Sequence, residues 1–263
     1  MTFDSTSQLV IAAGVATSFM FGLWLIQLVT RDAGIVDVGW SGTLGLIAIF
    51  YGFTLTDRSS RSWLVMLLAA VWSFRLATHL LRDRVIGKAE DGRYRNLREA
   101  LGNLVLPFFL VFFQIQALLA WLFSLAFWLA MQRQGPLDWS DAVGCIIWGV
   151  SLAGESIADE QLARFRVDPK NKGKTCRQGI WRYSRHPNYF FEWTYWWSYV
   201  LFAWNTEMGW IAVFAPLVML VFLFKVTGIP AMEAQALLSR GDDYRDYQMS
   251  TSVFVPWFPK TAK

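Results

Sequence analysis

Charge is scarce in this chain. Its 263 residues hold 24 Lys and Arg and 20 Asp and Glu, together 17%, while 55% are hydrophobic. That balance excludes a disordered chain and argues against an ordinary soluble domain. Cysteine is nearly absent. Cys145 and Cys176 are too few for a disulfide framework, and their spacing matches no zinc motif. The first falls in an apolar run and the second in a basic loop, so both read as reduced thiols. Internal repeats, low-complexity tracts and long linkers are also missing, and one membrane domain over 1–263 is the simplest division. What is abundant is aromatic bulk: 15 Trp and 21 Phe, suited to a bilayer and its interfaces. With so much apolar content, the net charge of +4 belongs to loops between spans. A nucleic-acid partner is not expected, and no metal site is legible.

A bilayer core needs ~20 apolar residues in helical form. Seven runs qualify, at roughly 8–30, 34–56, 62–81, 104–131, 140–162, 188–205 and 209–228. The first is too long for a removable signal peptide and lacks its small-residue cleavage site. The fifth is the weakest, because Glu155, Asp159 and Glu160 crowd its end. The expected fold is an all-α polytopic membrane bundle of about seven transmembrane helices. With the N-terminus outside and the C-terminus cytosolic, the inner segments carry 19 of the Lys and Arg residues, Lys263 among them, and the outer ones carry 3. The plainer explanation of this asymmetry is that it only directs insertion.

A charge inside a span is costly unless paired or solvated, so each such residue is a functional candidate. Asp37 begins the second run. Arg75 sits in the middle of the third, His79 follows four positions later, and Arg82 three beyond that. At helical spacing these three share a face. Either Arg75 pairs with Asp37 to hold two helices together, or the helix lines a polar cavity open to the inner side.

Residues 164–196 are the most informative stretch. A basic loop with Pro169, Gly173 and Gly179 cannot form a long helix. Pro187 then opens a new span near the first helical position, which proline favours. A helix N-terminus fronted by Arg182, Arg185 and His186 is suited to an anion such as phosphate. Asn188 and Glu192 are four apart on one face, and Trp196 continues that face. Trp181, Tyr183 and Tyr189 could wall a flat cofactor or form an interfacial belt.

The run Gly179-Ile180-Trp181-Arg182-Tyr183-Ser184-Arg185-His186-Pro187-Asn188-Tyr189-Phe190-Phe191-Glu192 resembles the signature of bacterial membrane proteins related to steroid 5-alpha-reductases. These share a superfamily with sterol reductases and isoprenylcysteine carboxyl methyltransferases. The resemblance extends to Ala158–Gln161, Arg164–Arg166, Asp91-Gly92-Arg93-Tyr94, Tyr244–Tyr247 and Phe254–Pro259, and so covers most of the chain. It implies a multi-pass protein of a bacterial inner membrane. It also implies an NADPH cofactor, held by a C-terminal part at 104–263, with helices of 1–103 lining a substrate cavity. Asp159, Arg166, Lys174, Tyr183, Asn188, Glu192 and Trp196 match cofactor-contacting positions of the reductases, with Arg82 a further one. Phe191 departs from an expected glycine. His79 stands where those reductases place a tyrosine proton donor, and Asp37 falls near their acidic partner.

The reaction this implies is NADPH-dependent reduction of an activated C=C bond in a lipophilic substrate delivered from the membrane lipid. His79 would act as the acid, Asp37 would fix its tautomer, and Arg75 would neutralise Asp37 or stabilise an oxyanion. Arg82, Arg166, Lys174 and Arg182 would share the phosphates, with Arg245 a closure contact. Two alternatives stand beside it: an S-adenosylmethionine-dependent methyltransferase on the same scaffold, and a lipid-binding membrane protein without catalysis.

Overall fold

The computed structural model describes residues 2–226 and 228–260. Lys263, counted above among the inner charges, lies outside the described residues. Among the described residues the chain is all helix and turn, with no strand. Ten α-helices follow one another: α1 (Ser5–Thr30), α2 (Ile35–Thr54), α3 (Ser60–Leu80), α4 (Gly92–Leu101), α5 (Val105–Gln132), α6 (Trp139–Val167), α7 (Pro187–Phe202), α8 (Phe214–Val221), α9 (Ile229–Arg240) and α10 (Asp242–Ser250).

Among the described residues, six helical stretches are long and apolar enough to cross a membrane: Ser5–Thr30, Ile35–Thr54, Ser60–Val85, Gly92–Gln132, Trp139–Val167 and Gly209–Arg240. The run expected at 188–205 differs. It folds as α7, only 16 residues long. At 1.5 Å per residue that is about 24 Å, short of a ~30 Å hydrocarbon core.

The chain divides into two compact units. One comprises Met1–Asp138 with Phe202–Ala212, the other Trp139–Leu201 with Val213–Lys263. In the first, α2 is the central helix, packed on α1, α3 and α5. Small residues let it approach its neighbours. A Cβ on Gly39 would strike Met20 and Leu23 of α1, and one on Gly45 would press on Ser73 and Phe74 of α3. α5 packs on α1, α2 and α3 and so lies with the N-terminal helices. The Tyr51 and Ser124 hydroxyls meet at 3.3 Å between α2 and α5. Helix ends are set locally. Asp4 caps α1 through the Ser7 amide, and Ser59 and Ser62 form a reciprocal capping box on α3. Arg61, fully buried, donates to the carbonyls of Arg133, Gln134 and Pro136 at 3.1, 3.3 and 2.7 Å. It thereby fixes the turn after α5.

In the second unit α6 and α7 pack closely at Gly154, where any Cβ would collide with the Phe191 ring. The Trp193 indole donates to the Pro216 carbonyl at 3.1 Å, joining α7 to α8. The segment after α10 returns over the start of α7, with Phe254 buried against Phe190, Trp193 and Phe224.

Candidate functional site

Of the residues singled out in the sequence, Asp37, Arg75, His79 and Arg82 belong to the first unit. The other eleven belong to the second.

In the first unit α3 widens at its end into a π turn, Leu81–Val85, a rare geometry enriched at functional sites. Arg84, on that turn, reaches Asp37, with Nη1 3.3 Å from Oδ2. Asp91 then caps α4 through the Arg93 amide at 2.9 Å and binds the Arg93 guanidinium at 3.1 Å. Burial pushes the Asp91 carboxyl up, but the Arg93 hydrogen bonds outweigh it and hold its pKa below the usual value. Arg93 Nη2 also lies 3.5 Å from Asp37 Oδ2. Tyr94 is buried against the rings of Phe109 and Phe112 and donates its hydroxyl to Asp37 Oδ1 at 3.1 Å. One carboxylate thus collects two guanidinium groups and a phenol. Beside it, Glu90 accepts from Arg98 at 3.0 Å and from the Ala33 amide at 2.8 Å, and Arg98 reaches Gln27 of α1 at 2.9 Å. Arg75 and His79 are half-buried on α3, one turn apart, and Arg82 is exposed. The residues that sequence reasoning missed here are Arg84, Arg93 and Tyr94. The signal was present: Asp91-Gly92-Arg93-Tyr94 carried part of the resemblance, and its tyrosine is the phenol found on the acidic residue.

In the second unit Asn188 Nδ2 lies 3.4 Å from Asp159 Oδ1, joining α7 to α6. Glu192 is half-buried one turn further along α7. Glu155, one turn before Asp159, is 3% exposed. Trp196 is fully buried among the rings of Tyr195 and Tyr199, whose hydroxyls meet at 2.7 Å. It belongs to the packed interior of the α7 face. Arg166, Lys174 and Arg182 are exposed, and Tyr183 is half-buried with its ring against Phe258. The loop between α6 and α7 is anchored from below. Gly179 has φ 56°, a left-handed backbone that glycine adopts without strain, and packs against the Gln161 side chain. Gln161 accepts from the Ile180 amide at 3.0 Å, and the Trp181 indole donates to the Ala158 carbonyl at 2.9 Å. Cys176 is buried in this loop, which raises the pKa of its thiol. Both cysteines are free.

Arg185 and His186, expected as phosphate contacts, face a carboxylate of the chain itself. Glu233 of α9 faces both, with Oε1 2.7 Å from Arg185 Nε and 3.3 Å from His186 Nε2. Gln248 of α10 donates to Glu233 Oε2 at 2.8 Å. Arg185 also donates to the Gln248 carbonyl at 2.8 Å. Ser184 accepts from the His186 amide at 3.1 Å and donates to the Phe254 carbonyl at 2.7 Å. These two residues therefore form a latch that pins α9, α10 and the C-terminal segment to the start of α7. Arg245 pairs locally with Asp242 at 2.9 Å, and both are exposed.

A family model described as a protein of unknown function, DUF1295, matches residues 23–251. The chain belongs to the DUF1295 family. DUF1295 is a family of membrane proteins related to steroid 5-alpha-reductases. Similar to this DUF1295 protein is an uncharacterized protein of Schizosaccharomyces pombe. It is 26% identical over 277 aligned positions, which cover 92% of this chain and 78% of the yeast one. No solved structure matches the chain. Among the described residues of this DUF1295 protein, no group of three or more His, Cys, Asp or Glu side chains could hold a metal ion.

Proposed function

We propose that this membrane protein is an NADPH-dependent reductase of an activated C=C bond in a lipophilic substrate. The observation that carries the reading is the Asp159–Asn188 contact across α6 and α7, with Glu192 on the next turn and exposed Arg166, Lys174 and Arg182 in the flanking loop. The donor set fits a dinucleotide. Guanidinium and ammonium groups suit phosphates, and an amide beside a carboxylate suits a carboxamide or a ring edge. Asp159, Asn188, Glu192 and Tyr183 would orient the cofactor, and Arg166, Lys174 and Arg182 would hold its phosphates. Trp196 would support the site from beneath. NADPH, when bound, supplies the hydride. The accompanying proton needs an acid. The candidates are His79, as the resemblance implies, and the Tyr94 hydroxyl, which donates to Asp37. Asp37 orients the phenol by accepting its hydrogen bond at 3.1 Å. The basic loops lie on the cytosolic side in this reading, where NADPH is available.

Binding to the native state raises apparent stability, by about 2.7 kcal/mol at a hundredfold excess over Kd. NADPH is therefore expected to raise the unfolding temperature of the detergent-purified protein. Asn188→Ala and Glu192→Ala are each expected to remove that rise while leaving the ligand-free temperature nearly unchanged. A rise with S-adenosylmethionine in place of NADPH would make the protein a methyltransferase. No rise with either would leave lipid binding.

A further inference from the structure

We propose that the C-terminal segment Ser252–Lys260 is an interfacial membrane anchor, which inserts Trp257 and Phe258 among lipid headgroups and seats the Tyr183–His186 turn against the bilayer. The reading needs only that the protein is integral to a membrane, and stands whether or not NADPH binds.

The segment carries no helix, yet its backbone is held along its length. The Arg185 amide donates to the Ser252 carbonyl at 2.8 Å, and Ser184 Oγ donates to the Phe254 carbonyl at 2.7 Å. The Trp257 amide donates to the Tyr183 carbonyl at 2.9 Å, and the Lys260 amide to the Ser250 carbonyl at 2.8 Å. Phe254 points inward and is 5% exposed. Between these fixed points the chain turns large apolar side chains outward. Trp257 is 70% exposed and Phe258 76%. Rigid backbone with exposed aromatics is not the signature of a slack tail. A loose end would leave its amides to solvent and would gain nothing from presenting two aromatic rings to water.

The occupant follows from what the patch adjoins. Phe254 packs on Phe224, which lies in the Gly209–Arg240 stretch, one of the six able to cross a membrane. The outer face of that stretch is an exposed apolar stripe at helical spacing: Phe214, Leu217 and Val221. Such a stripe on a spanning helix meets lipid chains. Val255, Trp257 and Phe258 are exposed on the segment that Phe254 ties to the same helical stretch, and Lys260 beside them is exposed. Tryptophan and phenylalanine flanked by lysine are the composition of a membrane–water interface. A second protein would also bury the patch, but it would have to leave the neighbouring lipid-facing stripe untouched.

The test uses the full chain in vesicles of phosphatidylethanolamine and phosphatidylglycerol. Trp257 is replaced by the photoreactive p-benzoylphenylalanine, an aromatic of similar bulk at an exposed position. Asp242, 89% exposed, is replaced in a parallel sample as the water-facing control. After irradiation, mass spectrometry is expected to find phospholipid adducts at position 257 and none at 242. Cross-linked chain dimers at 257, or suppression of the adducts by NADPH, would assign the patch to a second copy or to the cofactor and overturn the proposal. Equal lipid adducts at both positions would overturn it too. A second measurement guards against misfolding: Phe258→Ser should leave unfolding in detergent unchanged but increase trypsin cleavage at Lys260 in vesicles at least several-fold.

Discussion

At the scale of single residues, the Asp37 carboxylate is the most connected group of the first unit. It binds Arg84, Arg93 and Tyr94 at once. Tyr94→Phe removes one hydrogen bond of ordinary worth, about 1 kcal/mol. If Tyr94 is the acid, the same change lowers turnover by far more than it lowers stability, whereas His79→Gln leaves turnover intact. Reductase assays on the two variants, compared with their unfolding temperatures, decide between them. Asp91 supports a pH prediction. Its pKa is held below the unfolded value, so its contribution to stability is present above the unfolded carboxyl pKa of ~3.9. It is lost as pH falls through the lower folded value. Asp91→Asn should therefore destabilise the protein at neutral pH and flatten this part of the acid loss, measured by thermal unfolding between neutral and acid pH. The polar residues Asp37, Asp159, Asn188 and Glu192 were legible in the sequence because polarity inside apolar runs is conspicuous. Tyr94 was not. A tyrosine in a basic loop carries no such contrast, and its partner is 57 residues away.

At the scale of elements, apolar runs located the long helices well. Length is the property they misjudged at 188–205, where α7 ends at Phe202 and turns follow. Hydropathy reports which residues tolerate lipid and says nothing of where hydrogen bonding stops. The π turn after Leu80 was likewise illegible, because an extra residue in a turn leaves the apolar pattern nearly unchanged. The latch was half legible. Arg185 and His186 stood out as cationic residues at a helix start, a pattern that fits an anion equally well whether it is a phosphate or a carboxylate on another helix. Here the carboxylate is Glu233 of α9, half-buried, and the Arg185 side chain it faces is 11% exposed. Removing one partner leaves a nearly buried charge uncompensated. Glu233→Ala should cost about 3 kcal/mol, the low end of the range for a buried pair, because some solvent remains. Arg185→Ala should cost as much, and the double variant less than the sum. Additive losses in thermal unfolding would show that the two residues do not act together.

At the scale of the whole molecule, hydrogen-bonded ties constrain a topology that helix length leaves open. By length α7 is too short to cross a bilayer unaided. Yet the segment after α10 is hydrogen-bonded to Tyr183, Ser184 and Arg185, just before α7. Residues 183–185 and 252–260 must therefore lie on one side of the membrane. Between them the chain passes through α7 and through Gly209–Arg240, a stretch long enough to span. If Gly209–Arg240 crosses, α7 is expected to cross as well, since a single crossing would separate the tied segments. A helix a few ångströms short is matched by local thinning of the bilayer, and the largely exposed turns at 203–208 would then reach the far surface. The same count keeps the basic loop 164–187 and the basic C-terminal segment together, as the charge distribution requires. The expected result is specific. Protease sites inserted at Gly173 and after Lys260 should be cut from one side of sealed vesicles, and a site at Glu207 only from the other. Cleavage at all three from one side would mean that neither α7 nor Gly209–Arg240 crosses, and that the chain has two crossings fewer than its charges demand.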